Sequence, residues 1–193
     1  MERPILLDLP DEIPGERITL RPLRDSDADA VFAAIQESIE HIRPWLPWYD
    51  EHKTIDDTVA FIRRTQSTRA LREEFDFGIF AGNGHFLGGA GMKPRDWTIP
   101  SFEIGYWIRA SEEGNGYITE AAELLTRFAF DQLKAERVMI GCDTRNSRSR
   151  RVPERLGYRL EGIMRRSYLD TAGKPADTAF YAMIRSEFDE KRL

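Results

Sequence analysis

Cysteine is almost missing from this chain of 193 residues: Cys142 is the only one. A single thiol cannot close an internal disulfide, which points to a reducing, cytoplasmic setting. Histidine is scarce too. His41, His52 and His85 lie too far apart for a local metal-ligand spacing, so no metal is expected and each reads as a surface or core-edge residue. Positive charge is not in excess. The formal net charge is −5, against the basic field that general nucleic-acid binding requires. No apolar run approaches the roughly 18 residues of a membrane span, and Met1-Glu2-Arg3-Pro4 does not open a signal peptide. There is no Gly-x-x-x-x-Gly-Lys-Ser/Thr, which argues against a nucleoside triphosphatase. No nucleophilic constellation surrounds Cys142, which reads as a small apolar filler at a strand end.

What remains suits one enzyme-sized domain. The chain is 41% hydrophobic and 11% aromatic, enough for a sizeable core. Residues 1–16 carry Pro4, Pro10, Asp11, Glu12 and Pro14 and read as a lead-in, with a single domain over 17–193. Ile18 and Leu20 alternate with polar neighbours as a strand. Asp25 or Ser26 could cap a helix through Val31 and Ile35, and Thr54 a second one over 55–70. Gly82-Asn83-Gly84 joins strands 75–81 and 85–92 as a hairpin. Strand 102–109, a helix to about Leu133 and strand 138–142 form a crossover, which makes those two strands parallel neighbours. A helix over 147–156, limited by Pro153, precedes closing strands at 157–165 and 178–185. The fold class is α/β in the α+β sense: a mixed, mostly antiparallel sheet with helices on both faces.

Two stretches carry chemistry. Gly114-Asn115-Gly116-Tyr117-Ile118-Thr119 lies between a strand and an amphipathic helix. A helix start offers unpaired N–H groups and a positive dipole end, and glycines let an anion approach them. Thr119 stands where a dinucleotide fingerprint needs its third glycine. The loop therefore reads as a seat for an anion, most simply a pyrophosphate, with an ordinary turn as the alternative. Residues 143–166 hold eight arginines against Asp143, Glu154 and Glu161. Arginine suits phosphate because its fork donates two bonds at once, and Arg148, Arg150 and Arg151 are the candidates. A solvated basic face, or ion pairs to Glu112, Glu113 and Glu120, is the other reading.

Together Phe102-Glu103-Ile104-Gly105-Tyr106-Trp107-Ile108, Gly114-x-Gly116-Tyr117-x-Thr119-Glu120-Ala121 and Asn146-x-x-Ser149 with Leu156-Gly157-Tyr158 resemble a GNAT-type N-acetyltransferase. His41-Ile42-Arg43-Pro44-Trp45-Leu46-Pro47-Trp48 resembles the branch of ribosomal-protein N-terminal acetyltransferases (RimJ/RimL type). The resemblance runs from about Arg17 to Arg185. It implies acetyl-CoA lying where the two parallel strands splay, with backbone groups of Trp107 and Ile108 meeting the pantetheine arm. The pyrophosphate would rest on Gly114, Asn115, Gly116, Tyr117, Ile118 and Thr119, helped by Arg109, Arg150 and Arg151. Asn146 would bind the pantetheine arm, and Ser149 would protonate the departing thiolate. Acetyl passes directly to an amine, without an acyl-enzyme or a metal. The family usually places Arg or Gln three residues before the first glycine and often a basic residue just before it; here Ser111 and Glu113 stand there, with Glu112 between. These carboxylates should weaken pyrophosphate binding unless they point to solvent, with Arg109 as compensating charge.

Only a neutral amine attacks a thioester. An α-amine near ~7.8 is about a tenth neutral at pH 7, and a lysine near ~10.4 under about 0.1%, a difference of roughly 3.5 kcal/mol. A weak base therefore suffices for a peptide N-terminus. Glu103, on the strand flanking the thioester, is the candidate base, and a structural carboxylate is the alternative. Trp45, Trp48 and Tyr49 are candidates for the acceptor pocket, on a segment stiffened by prolines. The expected partners are acetyl-CoA and an amine acceptor, with the chain a monomer or homodimer. The alternatives are a small-molecule amine acetyltransferase, acting on a polyamine, an aminoglycoside or an amino-acid-like toxin, and a non-catalytic acyl-CoA-binding module.

Overall fold

A computed structural model describes residues 4–191, without the side chains of Pro47, Asp50 and Lys191. The elements run β1 (Ile13–Pro14), β2 (Ile18–Arg21), α1 (Ala28–Ile42), α2 (Ile55–Leu71), β3 (Phe75–Ala81), β4 (Phe86–Asp96), β5 (Ser101–Ile108), α3 (Tyr117–Arg127), β6 (Arg137–Asp143), α4 (Ser147–Leu156), β7 (Arg159–Leu169), β8 (Pro175–Ile184) and α5 (Arg185–Lys191). The eight strands form one sheet in the order β1-β2-β3-β4-β5-β6-β8-β7. Among the described residues only β5 and β6 pair in parallel, joined by the crossover through α3.

Strand alternation sends side chains to two cores. Phe75, Phe77, Ile79, Phe102, Ile104, Val138 and Ile140 meet α3 and α4 on one face. Phe80 and Phe86 meet α1 and α2 on the other, with Val31, Ile35 and Ile62. This two-sided burial explains why β3, Phe75-Asp76-Phe77-Gly78-Ile79-Phe80-Ala81, reads as an almost continuous apolar run.

Local signals mostly act as the sequence suggests. Thr54 caps α2 by accepting from the Asp57 N–H at 3.2 Å, and the Asp57 carboxylate answers from the Thr54 N–H at 2.8 Å, a reciprocal capping box. Gly84 takes φ +82° in the hairpin turn, a conformation that suits glycine. Three expectations are corrected. Neither Asp25 nor Ser26 caps α1; residues 25–27 make a 3-10 turn, and Asp27 instead accepts from the Arg24 N–H at 2.8 Å. Ile13 and Pro14, read as lead-in, pair with β2. β4 runs on to Asp96, past the strand end expected at residue 92. The helix expected to run to about Leu133 does so, α3 winding on from Arg127 as a π-helical turn over Phe128–Gln132. Met1–Arg3 and the last two residues of the expected 17–193 domain lie outside the described residues.

Candidate active site: a strand splay, an uncapped helix and an acidic cavity

The pairing of β5 with β6 stops at Ile104 and Ile140. Beyond it β5 stays joined to β4 through Gly88 and Ile108, and β6 to β8 through Asp143 and Thr178. The two strands therefore part, leaving one edge of β5 unpaired. Which groups face the gap follows from alternation. The Arg109 N–H donates to the Leu87 carbonyl on β4 at 2.8 Å, and the Trp107 carbonyl lies against Gly88 on the same strand. The polar groups of odd-numbered residues thus turn to β4, and those of Tyr106 and Ile108 turn to the gap. Of the two residues expected beside the gap, Ile108 presents its backbone there, whereas Trp107 presents its carbonyl to β4 and Tyr106 stands at the gap instead.

At the end of the gap, Gly116 is the N-cap of α3, at φ +81°, and no side chain caps the helix. The first-turn N–H groups of Tyr117, Ile118 and Thr119 are left for an external acceptor, with the dipole aimed at it. Arg17 brings positive charge to this loop. Its Nη1 donates to the Asn115 carbonyl at 2.8 Å, its Nε to Glu120 at 2.9 Å, and its guanidinium lies over the Tyr117 ring. Sequence reasoning missed Arg17, which sits 98 residues from Asn115. Arg109 is committed elsewhere: its Nε donates to Glu37 on α1 at 2.6 Å. Glu112 and Glu113 do not simply face solvent. Glu113 lies 2.5 Å from His41 Nε2 and 2.5 Å from Arg148 Nη1, and Glu112 lies 3.4 Å from His85 Nε2. Both carboxylates are tied to cationic or titratable partners, and Arg148 reaches across from α4 to meet one of them.

The same gap brings α4 against β5. Asn146 accepts from the Ser149 N–H at 3.0 Å and caps α4. Pro153 lies inside this ten-residue helix. It has no N–H for the carbonyl four residues back, that of Ser149, and the Tyr106 hydroxyl donates to that carbonyl at 3.1 Å instead. The Ser149 hydroxyl in turn lies 3.4 Å from the Tyr106 oxygen. Proline, serine and tyrosine thus fix one another at the gap. Burial pushes the Tyr106 phenol well above its ordinary range, so it stays protonated as a donor. Burial likewise pushes the Cys142 thiol up to about 11, which removes it as a nucleophile at neutral pH. Arg150 turns to Tyr181, 3.0 Å from its hydroxyl, whereas Arg151 is exposed on α4.

On the opposite face of the sheet a cavity of about 530 Å³ opens between α1, α2 and strands β3–β6. Trp48 and Trp107 form part of its wall, edge to face with centroids 5.7 Å apart. Trp45 and Tyr49 are not among its lining residues; Tyr49 packs under the Arg43 guanidinium. His52 is buried in the wall, its Nδ1 3.0 Å from the Thr58 hydroxyl, and burial lowers its pKa and keeps it neutral. The cavity carries four carboxylates, Glu51, Glu74, Asp76 and Glu103, against Arg64 and Lys93. Glu103 lies 3.5 Å from Arg95. Asp76 is the second residue that sequence reasoning missed. Burial, then Glu74, raise its pKa to about 6. The lone carboxylate inside an apolar strand was the available signal. No group of three or more His, Cys, Asp or Glu suited to a metal occurs among the described residues, and no helix there is long and apolar enough to cross a membrane.

Comparison with known proteins places this geometry. A family model described as an acetyltransferase (GNAT) domain matches residues 17–159. A Bacillus subtilis protein named "Putative ribosomal N-acetyltransferase YdaF" is 33% identical over 182 residues, covering 92% of this chain and 97% of the relative. The ribosomal-protein-serine acetyltransferase of Escherichia coli is 34% identical over 138 residues, 70% of each chain. Among solved structures, RimL, a ribosomal L7/L12 α-N-protein acetyltransferase in complex with coenzyme A, superposes with a TM-score of 0.85 at 21% identity, over 91% of this chain and 99% of that one; at that identity the likeness is one of fold. The chain belongs to the GNAT family and is an acetyl-CoA-dependent N-acetyltransferase.

Proposed function

We propose that this enzyme acetylates the N-terminal α-amine of a protein, a ribosomal protein being the first candidate. The observation that carries the reading is the position of an acidic, tryptophan-walled cavity directly against the gap between β5 and β6. Four carboxylates against two cations favour a cationic amine over an acid or a neutral alcohol. A cavity of about 530 Å³ accepts a terminal residue and part of its neighbour. The names of the relatives, a ribosomal-protein-serine acetyltransferase and an α-N-protein acetyltransferase, support a protein terminus.

In this reading the gap holds the acetyl-bearing thioester, which supplies an activated acyl group. Tyr106 and Ile108 offer backbone groups to the pantetheine arm. Asn146, whose side-chain oxygen is used in the α4 cap, offers its NH₂. The N–H groups of Tyr117, Ile118 and Thr119, with Gly114, Asn115 and Gly116 leaving the approach open, hold the pyrophosphate, and Arg17 adds charge. Ser149 donates the proton that the departing thiolate needs, with Tyr106 orienting its hydroxyl. Glu103 accepts a proton that the amine loses during transfer.

The test is thiol release from acetyl-CoA against peptides starting with Ser, Ala or Thr, the same peptides N-terminally blocked but carrying lysine, and a polyamine. The expected result is a kcat/KM for the free Ser-initial peptide at least about 100-fold above the blocked one, in keeping with the ~2.6-unit difference in amine pKa. Equal or faster turnover of the polyamine would move the enzyme to small-molecule amines. Coenzyme A binding without turnover of any amine would leave a non-catalytic acyl-CoA-binding module.

A further inference from the structure

The floor of the cavity is a row of glycines. Asp76 on β3 pairs with Gly91 on β4, which pairs with Gly105 on β5. Cross-strand partners face the same side of a sheet, so all three look into the cavity. Gly141 on β6 follows in line, at the first position where β5 and β6 have parted. The two ends of the row are covered by carboxylates. Asp76 Oδ1 lies 2.5 Å from where a Cβ on Gly91 would stand, and Glu103 Oε1 lies 3.3 Å from the corresponding point on Gly141. A Cβ on Gly105, between them, would meet nothing within 4 Å. An open station thus lies beside the gap, with a carboxylate about one strand spacing away on either side.

We propose that the acceptor's ammonium group sits over Gly105 between Asp76 and Glu103, and that Asp76 is a catalytic residue that binds this ammonium and takes its proton. The inference rests on the acetyl-transfer reading above. The nitrogen, freed of one proton to Asp76, bonds to the acetyl carbon; the carbon–sulfur bond breaks, and the thiolate takes a proton from the Ser149 side of the gap. The second proton lost by the nitrogen passes to Glu103 or to water. The charged and titratable groups that line the cavity together with Asp76 are Glu74 before β3, Lys93 on β4, Glu103 on β5, Arg64 on α2, and Glu51 and His52 before α2. Lys93 is drawn to Glu74, its Nζ 2.6 Å from Oε1, and among the described residues no side chain or backbone N–H donates to Asp76. Its raised pKa, about 6, suits a proton acceptor working near neutrality.

The experiment compares Asp76→Asn, Glu103→Gln and Gly105→Ala with the wild type, using acetyl-CoA and a Ser-initial peptide from pH 5.5 to 9. Asp76→Asn should lower kcat/KM about 100-fold at pH 7 and leave the Kd of coenzyme A within about twofold, a change too small to signal a lost contact. Its rate should then rise with pH only through the amine's own value near ~7.8, whereas the wild-type rise falls about 1.5 to 2 units lower, toward the Asp76 value. Glu103→Gln should depress the rate most at low pH. Gly105→Ala should fold normally and raise the peptide KM about 10-fold, as a methyl group in the seat would. Wild-type rates and pH profile in Asp76→Asn, an equal loss of coenzyme A binding in that variant, or an unchanged KM in Gly105→Ala would overturn the proposal. Should the wild type turn over no amine, the acetyl-transfer reading fails first. Calorimetry of the free and N-acetylated peptide on the coenzyme A-saturated protein then decides the seat: binding of the free form alone, lost in Asp76→Asn, upholds it, and no binding overturns it.

Discussion

Replacing Gly116 with valine should weaken coenzyme A binding about 100-fold while the protein still folds. The reason is local. Gly116 takes φ +81° immediately before α3, a conformation that costs a β-branched residue on the order of 1–3 kcal/mol. A Cβ there would stand 3.4 Å from Arg17 Nη2, crowding the cation that turns toward the loop. The valine methyls would also cover the N–H groups of the first turn, and two lost charge-assisted bonds at about 1.5 kcal/mol each account for the factor. The strain should lower Tm by a few degrees, at about 2–4 °C per kcal/mol for a chain of this size. Calorimetry and a melting curve measure both effects together. A full loss of structure would say that Gly116 serves folding; an unchanged Kd would say that the anion lies elsewhere.

Ser149→Ala should lower kcat about 100-fold and leave coenzyme A affinity nearly unaltered. The helix survives this change, because Asn146 caps α4 through the Ser149 backbone N–H at 3.0 Å and not through the hydroxyl. The Tyr106 bond to the Ser149 carbonyl also survives. Only the hydroxyl beside the gap is removed. Tyr106→Phe provides the comparison. If serine is the proton donor, loss of the phenol costs orientation and so costs less than loss of the serine. An unaltered kcat in Ser149→Ala with a collapse in Tyr106→Phe would transfer the role to the tyrosine, whose burial keeps it protonated at every accessible pH.

The order of elements from β2 to β8 was legible in the sequence because periodicity and punctuation agreed: alternation in Ile18–Arg21, the Asn83-Gly84 turn, the Thr54 cap, and the amphipathic helix between two apolar strands. The parallel pair followed from the helical crossover between its two strands. The glycine turn that opens α3 was legible too, since the conformation of Gly116 belongs to its own local backbone. What stayed hidden depends on neighbours distant in sequence. Arg109 reads as a free cation until Glu37 on α1 is seen 2.6 Å away, and Arg17 reads as a strand residue until the fold sets it beside Asn115. Trp45, Trp48 and Tyr49 read alike, yet of the three only Trp48 lines the cavity; Tyr49, next to it in the 3-10 turn at Pro47–Glu51, packs under Arg43 instead. Pro153 looked like a limit on α4. The Tyr106 hydroxyl that replaces its missing hydrogen bond could not be read from the helix sequence.

Under the proposed function the coenzyme lies along the edge of β5 where β6 turns away, with its pyrophosphate on the start of α3. Amide hydrogen exchange with and without saturating coenzyme A tests it most directly. Slower exchange at Tyr106, Ile108 and Tyr117 to Thr119, with little change in β1 to β3, is the predicted pattern. Protection elsewhere, or none at these amides while the coenzyme is bound, would contradict the account.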